Sequence, residues 1–437
     1  MALSKTDPRT LALGLLGEVL SGGRPLDEAL AGSTTLAQLE RRDRAFLRRL
    51  LATSLRRLGQ IDALIEHCLE RPLKPKLAGV RDILRLGAAQ LVFLETPAHA
   101  AVSTSVALTE GPRLSSHKGL INAVLRRLAR EGAALAAAQD AARLNTPDWL
   151  WRSWTTAYGE AATRAIAEVH LLDPPLDISL KAGPDAPADA AGWAARLGAA
   201  RLPTGSLRLP SGTGEIGALA GFDEGVWWVQ DAAAALPARL LGPVAGKRVI
   251  DLCAAPGGKA AQLAAAGARV TALEQAPARM RRLGENLRRL GLAAELVTAD
   301  AAAWRPQEPA EAVLLDAPCS ATGTIRRHPD IPWLKQEGDL EGLTRLQDRL
   351  LAAAAEMVAP GGLLVYATCS LQPEEGPARI AALLAGGAPF ERIPVRPEEL
   401  DGLTDLVTPE GDLRTLPCHL GELGGLDGFY ACRLRRR

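Results

Sequence analysis

Cysteine is scarce in this chain and its spacing is unhelpful to a metal: six residues, at 68, 253, 319, 369, 418 and 432, with no CxxC pair among them. That pattern excludes a disulfide framework and a zinc site, and it suits a reducing cytoplasm. Histidine is equally sparse, six in all, so no metal partner is expected. Long apolar runs are missing as well. Nothing reaches the length that spans a bilayer, and the start, MALSKTDPRTLALGLLGEVL, has no uninterrupted apolar segment of the signal-peptide kind. A membrane partner is therefore not expected. There is no fixed-period repeat, and the only biased tail is the basic end RLRRR. Net charge is +1, which by itself says nothing about a polyanionic partner.

The distribution of charge says more. Residues 1–150 hold 21 Lys+Arg against 15 Asp+Glu, whereas the remainder holds 30 against 35. A basic front on a slightly acidic body offers an electrostatic handle for a polyanion. With 437 residues the chain is long enough for two or three domains. The front reads as helices only. In RRDRAFLRRLLATSLRRLGQIDALIEHCL the apolar positions Phe46, Leu47, Leu50, Leu51, Leu55 and Leu58 recur at helical spacing, with arginines on the other faces. VRDILRLGAAQLVFL (80–94) and GLINAVLRRLAR (119–130) repeat the pattern. Any one of these arginines is also explained as part of a solvated helix face.

NTPDWL (145–150) reads as a boundary, with helix-starting signals around Pro147. A tryptophan-bearing helix and a Pro/Gly-rich strand-and-loop stretch follow, and from about 245 the texture changes again. The apolar runs KRVIDLC, ARVTALE, AELVTAD, EAVLLDAPC and GLLVYATC alternate with helical stretches at 259–266, 277–290 and 339–358. Such alternation predicts a doubly wound, mainly parallel α/β sheet. The expected organisation is an all-α domain over 1–145, a small α+β connecting subdomain over 146–235, and an α/β domain over 236–437.

Ligands of an open parallel sheet bind beyond the carboxyl ends of its strands. Those ends carry Cys253 with its glycine loop, Glu274, Asp300, Asp316 and Cys369. The loop CAAPGGKAAQL is not a Walker loop, because Cys253 and Ala260 stand where glycine and Ser/Thr are needed, and GxGxxG is absent too. Gly257 and Gly258 still permit close backbone approach at a helix start, and an acid at the end of the next strand, Glu274, suits ribose hydroxyls. An adenosine-containing cofactor without a phosphate chain fits, which points to S-adenosylmethionine. Glu274 also has a plainer reading as a helix-capping acid.

Two strands end in a thiol, Cys319 in VLLDAPCSATG and Cys369 in LLVYATCSLQPEE. Either cysteine alone reads equally well as a small core residue; two in such contexts do not. The blocks DLCAAPGGKAAQLA, LDAPCSATGTIRRHPDIPW and LVYATCSLQPEE resemble the signature blocks of the RNA (cytosine-5)-methyltransferases. The front, with LRLGAAQLVFL and KGLINAVLRRLAR, resembles the RNA-binding antitermination factor NusB. The combination is similar to the bacterial 16S ribosomal RNA methyltransferases of that family.

The resemblance implies a NusB-like, RNA-binding helical domain and a Rossmann-like methyltransferase domain acting on small-subunit ribosomal RNA as a monomer. It implies a cofactor loop over Cys253, Ala254, Ala255, Pro256, Gly257, Gly258 and Lys259. It puts the ribose-binding acid at Glu274, the acid beside the adenine at Asp300, the acid of the proline–cysteine motif at Asp316, the nucleophile at Cys369 and the second thiol at Cys319. Lys259 is expected to contact helix or cofactor neighbours, without a catalytic part. Arg326, Arg327 and His328, directly after the chemical motif, are expected to contact RNA phosphates, or to bridge to nearby acids. Cys68, Cys418 and Cys432 read as packing residues. The chain departs from the family in carrying PEEG for the more usual PEEN, DISLK for an LRVN-like strand, and STSVALT without acids. A transfer-RNA enzyme of the same family is the nearest alternative. A DNA cytosine-5 enzyme, which would use the proline–cysteine thiol as nucleophile, and a non-catalytic antitermination-type factor fit less of the chain.

Overall fold

The computed structural model describes residues 7–110, 114–181 and 189–437, and its chain divides into two compact units. No helix among these residues is long and apolar enough to cross a membrane. The first unit comprises residues up to Leu172 together with the excursion Arg327–Gln336; the second comprises Asp173–Arg326 and Glu337–Arg437.

The helical unit forms where the 3.6-residue periodicity predicted it. Helix Arg41–Arg56 buries Leu47, Leu50, Leu51 and Leu55, and Lys118–Ala137 buries Ile121, Val124, Leu125 and Leu128. These stripes meet in one apolar core with residues of Pro8–Leu20, Leu58–Cys68 and Ala78–Ala88. The unit runs past the expected boundary at 145. Helices Asp148–Tyr158 and Glu160–His170 cluster with it. Polar ties explain why: Asn145 Nδ2 donates to Gln60 Oε1 at 3.0 Å, Arg57 donates to the Leu171 carbonyl at 3.2 Å, and Arg164 pairs with Asp140 at 3.0 Å.

The excursion 327–336 is the less expected part of this unit. Its Trp333 and Leu334 pack against the helical core, and Trp333 Nε1–H donates to the Leu55 carbonyl at 2.8 Å. Asp330 accepts from the Leu26 amide at 2.9 Å, across 304 residues of sequence, and is 4% exposed. His328 sits 3.3 Å from Asp27 and holds that carboxyl below its ordinary pKa by hydrogen bonding. The motif that begins RRHPDIPW is thus largely spent on packing.

In the second unit, the expected α+β connection appears as a four-stranded antiparallel sheet, ordered β2-β3-β1-β4, from β1 (Leu176–Leu180), β2 (Ala200–Arg201), β3 (Leu207–Leu209) and β4 (Trp227–Val229). The middle of the predicted strand-and-loop stretch, 182–188, lies outside the described residues, as does the chain start, 1–6.

The large sheet contains β5 (Arg248–Leu252), β6 (Arg269–Glu274), β7 (Glu295–Thr298), β8 (Ala310–Asp316), β9 (Val358–Thr368), β10 (Phe390–Arg392), β11 (Leu413–Thr415) and β12 (Phe429–Arg436). Its order is β10-β12-β9-β8-β5-β6-β7, with β11 beside β12. The five strands from β7 to β9 run parallel, and β12 and β10 extend the edge antiparallel. Successive side chains of a strand point to opposite faces, so continuous apolar runs imply that both faces are covered. Val249, Leu314 and Val365 meet a core containing Ala260, Leu263, Leu283 and Leu287; Ile250, Val313, Leu315 and Leu364 meet one containing Leu350, Leu351 and Ala354. The chain steps outward from β5 to β7 and then returns to β8, which makes the β5/β8 gap the topological switch point where such sheets hold ligands.

The docking of the excursion is testable. Trp333→Ala should destabilise the helical unit by about 3–5 kcal/mol, the range for removing a packed aromatic. Urea unfolding of the full chain would show it, and an unchanged midpoint would mean the contact contributes nothing.

Candidate functional site

Beyond β5 the backbone must turn sharply to open a helix. Cys253 adopts φ 61° and Gly257 φ 104°, and helix Gly258–Ala265 begins directly after. A side chain at Gly257 would be strained by that φ and would also meet Leu283 at 3.0 Å. The turn is pinned from outside: Arg279 donates to the Ala255 carbonyl and Asn286 to the Pro256 carbonyl, each at 2.8 Å.

Three acids act on this loop and a fourth, Asp300, follows the end of β7. Asp316, at the end of β8, accepts from Lys259 Nζ at 2.7 Å. Glu274, at the end of β6 and 5% exposed, accepts from the Ala276 amide at 2.9 Å and lies 3.4 Å from Arg279. Asp300 accepts from the Ala302 amide at 2.9 Å and remains partly exposed. Asp251 lies inside β5 and is fully buried. Sequence reasoning missed it, although an acid interrupting the apolar run RVIDLC is itself a signal.

Asp251 is the electrostatic anomaly of the site. Neither of its carboxylate oxygens has a hydrogen-bond partner; Glu274 Oε2 has none either but is ion-paired with Arg279. Burial, opposed by Lys259 and reinforced by Asp316, pushes the Asp251 pKa up to about 8. Burial alone would lower Lys259, but Asp316 and then Asp251 outweigh it and hold the ammonium above its ordinary value. Cys253 is pushed up to about 12 by burial and then by Asp316, Glu274 and Asp251. Orphaned acceptors in an acid-lined loop suit a bound group that carries positive charge and N–H or O–H donors. Among the described residues no cluster of three or more His, Cys, Asp or Glu could hold a metal ion.

The two thiols converge. Strands β8 and β9 are adjacent and parallel, with Asp316 paired to Ala367, and each leads into a cysteine loop. Cys319 Sγ and Cys369 Sγ stand 3.5 Å apart. The Cys319 thiol is held well above its ordinary pKa, first by its hydrogen bond to Cys369, then by burial and by the charges of Cys369 and Glu375. Cys319 is therefore the sulfur of this pair that is held protonated.

Other expectations resolve differently. Arg326 is not available to RNA phosphates: it is 1% exposed, paired with Asp231 and, at 2.9 Å, with Asp427. A guanidinium so enclosed satisfies two buried acids, which was the structural alternative for this residue. Arg327 is exposed and His328 half-buried within the helical unit. Cys68 and Cys432 are buried and Cys418 half-buried, as packing residues should be. The PEEG departure also has a physical reason. A Cβ at Gly376 would meet the Tyr430 ring at 2.9 Å and Arg414 at 3.1 Å, and Arg414 donates to the Ser370 carbonyl at 2.7 Å.

The 16S rRNA methyltransferase RsmB/F family model matches residues 238–435, and the NusB family model matches residues 6–130. The chain is 36% identical over 441 residues to the ribosomal RNA small subunit methyltransferase B of Pseudomonas putida, covering 98% of each protein. It is 37% identical over 403 residues to its namesake from Sodalis glossinidius, covering 86% of this chain and 89% of the relative. Among solved structures, the fold is similar to that of PH0851 (TM-score 0.77, 23% identity, all of both chains covered). It is also similar to NSun6 from Pyrococcus horikoshii with SFG (TM-score 0.57, 18% identity, 66% of this chain and 98% of that one).

The buried Asp251 gives a pH test. A raised folded-state pKa means that the folded protein binds the extra proton between the unfolded value, 3.8, and about 8. Stability contributed by that proton is therefore lost as pH rises through this window. Asp251→Asn, which mimics the protonated acid, should melt above the native protein at pH 8–9 and coincide with it near pH 4. Parallel melting curves at both pH values would remove Asp251 as a titrating group in this range.

Proposed function

This chain belongs to the RsmB/F family of 16S ribosomal RNA methyltransferases, and on that premise we propose that it methylates carbon 5 of a cytosine through a covalent bond between Cys369 and the base. The observation that carries this reading is the 3.5 Å separation of two thiols at adjacent strand ends, with Cys319 held protonated. S-adenosylmethionine, the cofactor, supplies an electrophilic methyl group on a sulfonium. The loop Cys253–Lys259 would hold it, with Glu274 at the ribose, Asp300 near the adenine, and the unpartnered carboxylate of Asp251 among the acids that face its positive charge.

Carbon 5 of cytosine is too weak a nucleophile to take a methyl group unaided. A thiolate adding to carbon 6 turns the ring into an enamine, which is covalent catalysis. Cys369 makes that bond. Asp316, whose side chain remains 29% exposed beside Lys259, is the acid available to hydrogen-bond ring nitrogen 3 and so to favour the addition. After methylation, the carbon-5 proton leaves to a base, the carbon–sulfur bond breaks and the electron pair returns to Cys369. Cys319 retains a proton at 3.5 Å from that sulfur, and it assists this departure.

The helical unit, with its basic surplus and NusB family match, is the part that engages the RNA, and Arg327 and His328 are its contribution from the excursion. The substrate is the small-subunit RNA, and the enzyme works in the cytoplasm as a monomer. Tritiated methyl transfer to undermethylated small-subunit RNA, with transfer RNA as the comparison, tests the choice of substrate; a preference for transfer RNA would replace it.

The thiol roles predict opposite mutant behaviour. Cys369→Ala should abolish methylation and give no covalent RNA complex. Cys319→Ala should attack and methylate, then stall with RNA attached, as a band that survives denaturing electrophoresis and requires S-adenosylmethionine. The double variant should give no band. If Cys369→Ala accumulates the band and Cys319→Ala does not, the assignment is reversed.

A further inference from the structure

Each cysteine lies on a loop, and loops alone do not hold two sulfur atoms at a fixed spacing. The residues that directly follow the thiols, Ser320 and Ser370, share one partner. Glu375 is fully buried. Its Oε1 accepts from the Ser320 amide and from Gln347 Nε2, each at 2.9 Å. Its Oε2 accepts from the hydroxyls of Ser320 and Ser370, each at 2.5 Å. A single carboxylate therefore bridges both thiol loops with three hydrogen bonds and takes a fourth from Gln347, the kind of charge-assisted contact that fixes geometry most firmly.

The rest of the cluster reinforces the bridge. Gln347 also donates to the carbonyl of Pro318, immediately before Cys319, at 2.9 Å. The Glu375 carbonyl accepts from Tyr366 of β9 at 2.7 Å, so the carboxylate is anchored to the strand that delivers Cys369. The two serine hydroxyls are 3.0 Å apart, and Thr322 accepts from the Leu371 amide at 3.0 Å. Ser320, Thr322, Gln347 and Ser370 are all at most 1% exposed, so water does not compete for these bonds.

We propose that Glu375 is a positioning residue for the methyl transfer: it sets the spacing of Cys369 and Cys319 by clamping Ser370 and Ser320. The inference rests on the two-thiol reading given above and adds to it the group that makes the arrangement rigid. It touches neither substrate nor cofactor, so its removal should slow the chemical steps and leave binding alone.

Glu375→Ala should lower kcat by about 10- to 100-fold, the scale of an ångström-sized misplacement, with the KM for RNA and the calorimetric affinity for S-adenosylmethionine within about twofold of native. Glu375→Gln should recover most of the rate. Its oxygen still meets the Ser320 amide and Gln347, and its amide group faces hydroxyls that can accept. A residue that merely supports the fold would lower kcat, cofactor affinity and melting temperature together. That parallel loss, or a native kcat in Glu375→Ala, overturns the proposal. Should Glu375→Ala melt without cooperativity, Ser370→Ala is read in its place; it keeps the carboxylate bonded to Ser320, and an unchanged kcat there is equally fatal. These rates are measured with both thiols present, whereas the two-thiol reading fails on its own terms if Cys319→Ala traps no RNA.

Discussion

The contact between Cys319 and Cys369 is the constraint around which the catalytic unit is organised. Two side chains from positions 50 residues apart meet at 3.5 Å because β8 and β9 are parallel neighbours in register. Adjacent strands lie about 4.8 Å apart, so residues just past equivalent strand ends start within reach of each other, and the loops then fix the spacing. An antiparallel arrangement would send the two loops to opposite edges of the sheet. The parallel sheet, both of whose faces must be covered, is thus the price of bringing two thiols side by side.

The same geometry explains why the charges around the loop from Cys253 to Lys259 are unbalanced. Strand ends converge at the switch point, and the chain places Asp251, Glu274, Asp300 and Asp316 there with Lys259 as the buried cation among them. Burial first, and then the neighbouring charge of Asp316, raise the pKa of Asp251 to about 8. A cationic group held there would relieve both the repulsion and the unmet hydrogen bonds.

Much of this was legible from residue patterns, because continuous apolar runs and period-3.6 apolar spacing survive in the folded protein. The five parallel strands and the helices between them fall where the runs KRVIDLC to GLLVYATC place them, and the loop from Cys253 to Lys259 opens a helix as its glycines suggest. What was illegible depends on partners distant in sequence. Arg326 looked like an RNA contact because it follows the chemical motif directly. Its acids, Asp231 and Asp427, lie 95 and 101 residues away, and no local pattern announces them. Asp330 and Trp333 share that problem. Glu375 stood in plain sight within LQPEE, but an acid in a loop looks solvent-exposed until Ser320, Ser370 and Gln347 close over it.

The excursion from Arg327 to Gln336 has a consequence for the order in which the protein is made. On the ribosome, the helices up to Leu172 emerge first, and the segment that completes their core follows only after roughly 150 further residues. At translation rates of about 5–20 residues per second, the nascent helical unit waits on the order of 10–30 s with the berth for Trp333 vacant and the Leu26 amide without Asp330. The excursion arrives before Cys369 and the last strands of the second unit are made, so the helical unit can complete its core while the catalytic one is still unfinished.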